Sequence, residues 1–348
     1  MRSKRALGLL LIAGWAFTPW AQETPKPVNR YQVVELLVNG VPSERVTTLV
    51  AQRGIDFQPT DQFLEIVQVV GGDEPLMAGL RGAKVDVPTN AARKVDTEEA
   101  EAAEQNLRDS LSKDSGNAGL HFALGWVLMT HKQGDDAIAE LQQAQLLKPD
   151  SAAPHILLGE IYIPRKQWDT VKEEFEAALR LKPDDVWAHA YYAGALHLQG
   201  DKPGAVKLMR EAVRLKPNDP DAHVQLGLRL MDAPPGGGKV SDEDRDAAII
   251  EFRKAAELRP DWYLAHENLG LALERKQDFN GALEEYTTAC HLRPDMPFLH
   301  VHVGKMLEKK GDRRAALEEY RKAHDLAPNN PAFQRDYERL SRQVDDEP

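Results

Sequence analysis

Residues 258–294 read LRPDWYLAHENLGLALERKQDFNGALEEYTTACHLRP, opening and closing on the same three letters. A proline after a Leu-Arg end stops one helix, and an Asp beside it is placed to cap the next. Outward from this stretch the same punctuation recurs at Pro149, Pro183, Pro217, Pro260, Pro294 and Pro328. The contexts are LKPD, LKPD, LKPN, LRPD, LRPD and LAPN, and every step is 34 residues except the 43 from Pro217 to Pro260. A period of 34 marks stacked supersecondary units rather than one conventional core.

Other columns keep the same phase. Small residues fall in the middle of a helical pattern at Gly125, Gly159, Gly227, Gly270 and Gly304. Twelve residues on come Ala137, Ala205, Ala282 and Ala316, with Ala248 reached only after nine extra residues. A third column holds Ala144, Ala178, Ala212, Ala255, Ala289 and Ala323. Small residues let two antiparallel helices approach closely while Leu, Phe, Tyr and Met fill the remaining space.

These columns resemble the tetratricopeptide repeat, a helix-turn-helix of 34 residues with the pattern W-x-x-L-G-x-x-Y, A-x-x-x-F, A, P. The resemblance covers residues 118–328 in six units, about 118–151, 152–185, 186–219, 220–262, 263–296 and 297–330. Unit four carries a turn insertion near 232–243. Two positions depart from the pattern: Ala193 stands where Gly is preferred and Val171 where Ala is preferred. Half a unit precedes the array at Glu98 to Ser112, and a capping helix at 331–343 follows, with Phe333, Tyr337 and Leu340 placed to cover the last unit. The expected fold is all-α: a right-handed α-solenoid of six helix pairs within residues 97–343, plus capping helices.

The resemblance implies a concave face lined by the first helix of each unit, with unit positions 2, 5, 9 and 12 turned into a groove. Carried onto this sequence, those positions offer Phe122, Trp126, Met129, Ile156, Ile163, Trp187, Val224, Leu228 and Met231 as apolar candidates for holding a peptide or helix. Trp126 and Trp187 are the expected anchors. Burial of the same side chains within the chain is the alternative. Units five and six offer Glu267, Glu274, Lys305 and Glu308 instead. Phe122 and Trp126 stand where a carboxylate-binding clamp of the chaperone-binding members would begin, so that ligand is not expected.

His266-Glu267 begins like the zinc motif H-E-x-x-H, but the second histidine is replaced by Gly270. His266 belongs instead to a column: the fourth position of all six units is histidine, at 121, 155, 189, 223, 266 and 300. The family commonly has Trp there, a partly buried residue. Zinc holds nitrogen at about 2 Å, whereas packed helices lie roughly 8–10 Å apart, so consecutive rungs are too distant to share an ion. The column reads as packing, with sensitivity to acid as its one functional possibility.

Other motifs are weaker. APPGGGKVS, residues 233–241, lacks the first Gly and the hydroxyl after Lys of a phosphate-binding loop. His300 and His302 fall on different helix faces. Cys290, the only cysteine, excludes an intrachain disulfide and reads as a small core residue. No catalytic residue set, cofactor site or metal site is expected.

The N-terminus, MRSKRALGLLLIAGWAFTPWAQ, has basic Arg2, Lys4 and Arg5 before an apolar run of signal-peptide length. Residues 1–21 are the expected signal peptide, with Ala16 an alternative cleavage site and an uncleaved anchor the second reading. Removing those three cations takes the formal charge from −11 to −14, which disfavours nucleic acid as a partner. Residues 30–83 lie outside the 34-residue period and read as four short helices, each closed by Gly, with Thr60 and Asp73 as N-caps. They resemble a helical module of exported bacterial repeat proteins. Residues 84–96 read as a linker. The expected function is a non-catalytic adaptor of the bacterial envelope, periplasmic or secreted, that binds a protein segment without cofactor. An enzyme with its site in the N-terminal module, with Asp56 and Glu65 among the few polar candidates, and a self-assembling solenoid are the alternatives.

Overall fold

The computed structural model of the chain describes residues 27–57, 59–83, 92–131, 133–233 and 238–345. The expected signal peptide, positions 84–91 of the expected linker and Pro234 to Gly237 of the insertion lie outside them. The described residues form helices throughout, with one isolated parallel bridge, Val28 to Ile55. The chain divides into two compact units, residues 1–99 and 100–348.

In the first unit α1 (Arg30–Val38), α2 (Ser43–Arg53), α3 (Asp61–Val69) and α4 (Glu74–Arg81) bury Val33, Val34, Val46, Val50, Leu76 and Leu80. Asn29 and Gln32 close a reciprocal capping box at α1. Thr60 and Asp73 cap α3 and α4 through Phe63 N–H and Leu76 N–H. The Ser43 hydroxyl donates to Asp73 at 2.6 Å and ties the start of α2 to the start of α4. Gly54 ends α2 at φ +70°, a left-handed conformation that glycine adopts without a Cβ penalty.

Helix α5 (Ala92–Lys113) begins earlier than the sequence suggested, so positions 92–96 are helical rather than linker. Its Ala100, Ala103 and Leu107 are buried. Six antiparallel helix pairs follow: α6 (Ala118–Thr130) with α7 (Gly134–Leu147), α8 (Ala153–Tyr162) with α9 (Trp168–Leu181), and α10 (Val186–Leu198) with α11 (Lys202–Leu215). The last three are α12 (Pro220–Met231) with α13 (Asp242–Leu258), α14 (Tyr263–Arg275) with α15 (Phe279–Leu292), and α16 (Pro297–Lys309) with α17 (Arg313–Leu326). Helix α18 (Pro331–Asp345) ends the array, and its Phe333, Tyr337 and Leu340 pack on Val301, Ala316 and Tyr320.

The small columns act as the sequence implied. A Cβ built on Gly227 would lie 2.5 Å from the Phe252 ring, and one on Gly270 or Gly159 2.8 Å from Tyr286 or Phe175. Each glycine therefore seats a large side chain of its partner helix against bare backbone. Ala193, the departure in unit three, sits where the partner position holds the flexible Met209, and both are buried. The alanine column has a second role. Carbonyls of Ala144, Ala178, Ala212, Ala255 and Ala289 accept the N–H of the residue before each proline.

The capping expectation needs one correction. The residue beside proline is not the cap: Asp185 and Asp219, two positions after Pro183 and Pro217, accept the N–H groups of α10 and α12. Trp262 and Met296 hold that position in units five and six and make no side-chain cap. The tight turn after proline needs one more residue before the backbone enters the helix.

Lys202, which is 9% exposed, joins the two helices that flank the insertion of unit four. Its ammonium donates to the carbonyls of Leu230 and Asp232 at 3.0 and 2.8 Å and pairs with Asp244 at 2.8 Å. One buried cation thus satisfies the open end of α12 and draws in the start of α13.

Candidate functional site

The nine apolar residues expected in a groove divide into two sets. Phe122 and Trp126 are 2% and 4% exposed, and Ile156, Val224 and Met231 are also buried. These five are packing residues, which corrects their assignment as open ligand contacts, Trp126 as an anchor included. They stand at unit positions 5, 9 and 12, and what packs over each of them, rather than its position in the unit, covers it. Met129, Ile163, Trp187 and Leu228 stay half-buried, each presenting part of an apolar side chain to solvent. Ile163 belongs to the shell around the core of Ile156, Phe175 and Tyr192, and the Trp187 ring lies 6.2 Å from that of Tyr191.

A depression of about 340 Å³ lies where units one and two meet, lined by Met129, Gly134, Ile161 and Pro164 with Glu160 and Arg165 at its polar side. The Arg165 guanidinium reaches Asp135 at 2.8 Å. An apolar floor with a few charged groups at the edge is suited to one or two aliphatic or aromatic side chains of a partner segment.

The first-helix positions of units five and six are polar, as the sequence suggested. Lys309 pairs with Glu274 at 2.9 Å and Arg339 with Glu308 at 2.6 Å. Buried Tyr286 and Tyr320 donate their hydroxyls to Glu274 and Glu308 at 3.1 and 3.0 Å. Arg339 and Tyr320 hold Glu308 below the ordinary carboxylate range against its partial burial. Burial raises Glu267 and lowers His302, which stacks on Tyr286 at 4.6 Å.

The histidine column is a chain of hydrogen-bonded rungs. In five units Nδ1 of the first-helix histidine lies 2.6–2.7 Å from a second-helix carboxylate: His121 with Glu140, His155 with Glu174, His223 with Glu251, His266 with Glu285, His300 with Glu319. In four of them, at 121, 223, 266 and 300, Nε2 faces a backbone carbonyl in the preceding turn at 3.0–3.2 Å. His189 is different: Leu208 stands at the partner position, and Nδ1 bonds the carbonyl of Asp185 at 2.8 Å. The glutamates were legible as a second column at the same period, but only folding shows that they face the histidines.

At the sixth unit Cys290 joins the rung, its Sγ 3.4 Å from His300 Nδ1. The three donors Cys290, His300 and Glu319 lie within 4.8 Å of one another. The His300 to Glu319 separation is 2.6 Å, whereas two ligands on one tetrahedral zinc stand roughly 3.3 Å apart. The arrangement is that of a direct hydrogen bond with a thiol beside it. Burial, with Glu319 adding to it, pushes the Cys290 thiol up to about 11 and makes it a poor nucleophile. In the first unit, Asp56 is partly exposed and Glu65 is helical.

Helix pairs of fixed period, a small residue seating a large one, and a half-exposed first-helix face define an α-solenoid of the protein-interaction class. Models described as "Tetratricopeptide repeat" match residues 95–161, 162–226, 239–297 and 299–330. The chain belongs to the tetratricopeptide repeat family. Among solved structures it is similar to the APC/C hetero-tetramer Cut9-Hcn1, at 15% identity and TM-score 0.52 over 89% of this chain and 55% of that one. It is also similar to PilF of Pseudomonas aeruginosa, at 17% identity and TM-score 0.49 over 67% of this chain and 99% of that one. A repeat protein of Parabacteroides merdae aligns at 12% identity and TM-score 0.48, covering 72% and 96%. At 15% identity the likeness to Cut9-Hcn1 is one of fold alone. None of the curated protein sequences matches the chain.

Proposed function

We propose that the chain is a non-catalytic adaptor that binds an apolar segment of a partner protein on the first-helix face of its N-terminal repeats. The observation that carries this reading is the residual apolar surface at Met129, Ile163, Trp187 and Leu228, with Met129 lining the depression between units one and two. Half-exposed aromatic and long aliphatic side chains on a rigid scaffold supply contact area with little conformational entropy to lose. The acidic charge favours a protein partner over nucleic acid. The basic residues and apolar run of positions 2–17 support export to a bacterial envelope, the compartment we assign to it.

The test is capture from envelope extract with the mature protein and with a Met129→Ala, Trp187→Ala variant checked for unchanged helicity. A protein retained by the wild type and lost with the variant supports the site and names the partner. Equal retention by both places the contact elsewhere and removes the assignment. Sedimentation of the purified chain separates binding of a partner from binding of a second copy.

A further inference from the structure

We propose that units four and five are clamped by protonated histidine: the α12–α13 and α14–α15 pairs close most tightly when His223 and His266 are imidazolium, and loosen as rising pH removes that proton. Each of the two rings faces two acceptors. His223 Nδ1 faces Glu251 at 2.6 Å and its Nε2 faces the Pro217 carbonyl at 3.0 Å. His266 Nδ1 faces Glu285 at 2.7 Å and its Nε2 the Pro260 carbonyl at 3.0 Å. All four partners are acceptors with no hydrogen to give. A neutral imidazole carries one N–H, so in either tautomer one lone pair would point at an oxygen at hydrogen-bond distance. Only the imidazolium satisfies both contacts, and one of them is charge-assisted.

The surroundings agree in direction. Around His223 burial disfavours the charged form and Lys254 opposes it, but Glu251 and the Pro217 carbonyl outweigh both and raise its pKa above the ordinary 6.5. For His266 the Glu285 hydrogen bond dominates, burial opposes it, and the Pro260 carbonyl adds to it, again raising the pKa above 6.5. From the helix of the preceding unit, Val213 and Ala256 stand at the position from which Cys290 meets His300, so neither rung receives a titratable neighbour there.

The sign follows by linkage. A group whose folded pKa exceeds its unfolded one contributes stability that is complete below about 6.5 and is lost as pH rises through the folded value. The clamp is therefore base-sensitive, the reverse of the acid sensitivity that a column of half-buried histidines suggests. His302 acts in the opposite sense: burial lowers its pKa, so its contribution rises as pH climbs toward the unfolded 6.5 and levels off well above it, where the clamp alone sets the slope. Each rung joins the two helices of one unit, so its loss acts on the pairing that gives the repeat its shape. The clamp acts within each unit, whatever the solenoid binds.

The experiment is urea unfolding of the full chain from pH 6 to pH 8.5, beside a Glu251→Gln, Glu285→Gln variant. Glutamine can donate to a neutral Nδ1, as Gln145 lies 2.8 Å from Nδ1 of His155. The expected result is a wild-type midpoint that falls with rising pH, each rung lowering the folding equilibrium by at most roughly tenfold per pH unit, and a flatter profile for the variant. A wild-type midpoint that is level or rises, or a variant that keeps the full slope, overturns the proposal. Where the variant does not fold, ring-proton NMR titration of the wild type decides: midpoints for His223 and His266 above 6.5 support the clamp, and midpoints at or below 6.5 overturn it.

Discussion

The same substitution at two glycines pulls stability in opposite directions. At Gly227 a Cβ would stand 2.5 Å from the Phe252 ring, a buried aromatic with no freedom to retreat. Gly227→Ala is expected to cost about 1–3 kcal/mol through overpacking. Gly194, in the middle of α10, has nothing within 4 Å of a built Cβ. Gly194→Ala removes the helix penalty of glycine and is expected to stabilise by up to about 1 kcal/mol. Urea midpoints of the two single variants check both signs together. Sequence alone placed Gly227 in the small column but gave Gly194 no distinction. What separates them is which side of α10 or α12 each occupies against its partner helix.

At the scale of the element, Lys202 shows how an insertion is tolerated. Nine extra residues would leave the last carbonyls of α12 without partners, and the ammonium supplies them from the neighbouring unit. Lys202→Met keeps the aliphatic stem and removes the donors. It is expected to cost roughly 1–3 kcal/mol by stranding buried acceptors. The expected signature is local: faster amide exchange at the end of α12 and earlier proteolysis in the 232–241 turn, with α16 and α17 unaffected. The insertion itself was legible as a step of 43 between prolines. Its anchor was not, because Lys202 and Asp244 are 42 residues apart and neither stands in a repeating column. The glutamate rungs lie between these extremes, periodic in sequence yet without meaning until the two helices are set face to face.

For the whole molecule, the titrating groups describe a stability profile with two limbs. The basic limb belongs to the histidine clamp. The acidic limb belongs to carboxylates held below their ordinary 4.5: Glu274, where Lys309 and Tyr286 outweigh burial, Glu308, bound by Arg339, and Glu319, where His300 and Lys322 outweigh burial. Their contribution is complete above about 4.5 and is lost as pH falls through the folded values. Thermal melts between pH 2.5 and 6 are expected to show the midpoint falling on the acid side, and Arg339→Gln is expected to make that fall shallower. A midpoint independent of pH below 4.5 would assign these pairs no net role.

The sequence by itself determined the class of fold, the period, the length and phase of the helix pairs and the terminal cap. Those features depend on local chemistry repeated in register: proline that cannot continue a helix, small residues at fixed spacing, and apolar stripes on a 3.6-residue turn. Only the tertiary structure decided which first-helix residues remain exposed. Trp126 and Leu228 hold the same ninth position of their units, yet one is sealed and the other half-open. Exposure is a property of everything that packs over a position, and the charge of a histidine depends on which acceptors surround it in space. Neither quantity is written in the spacing of the residue itself.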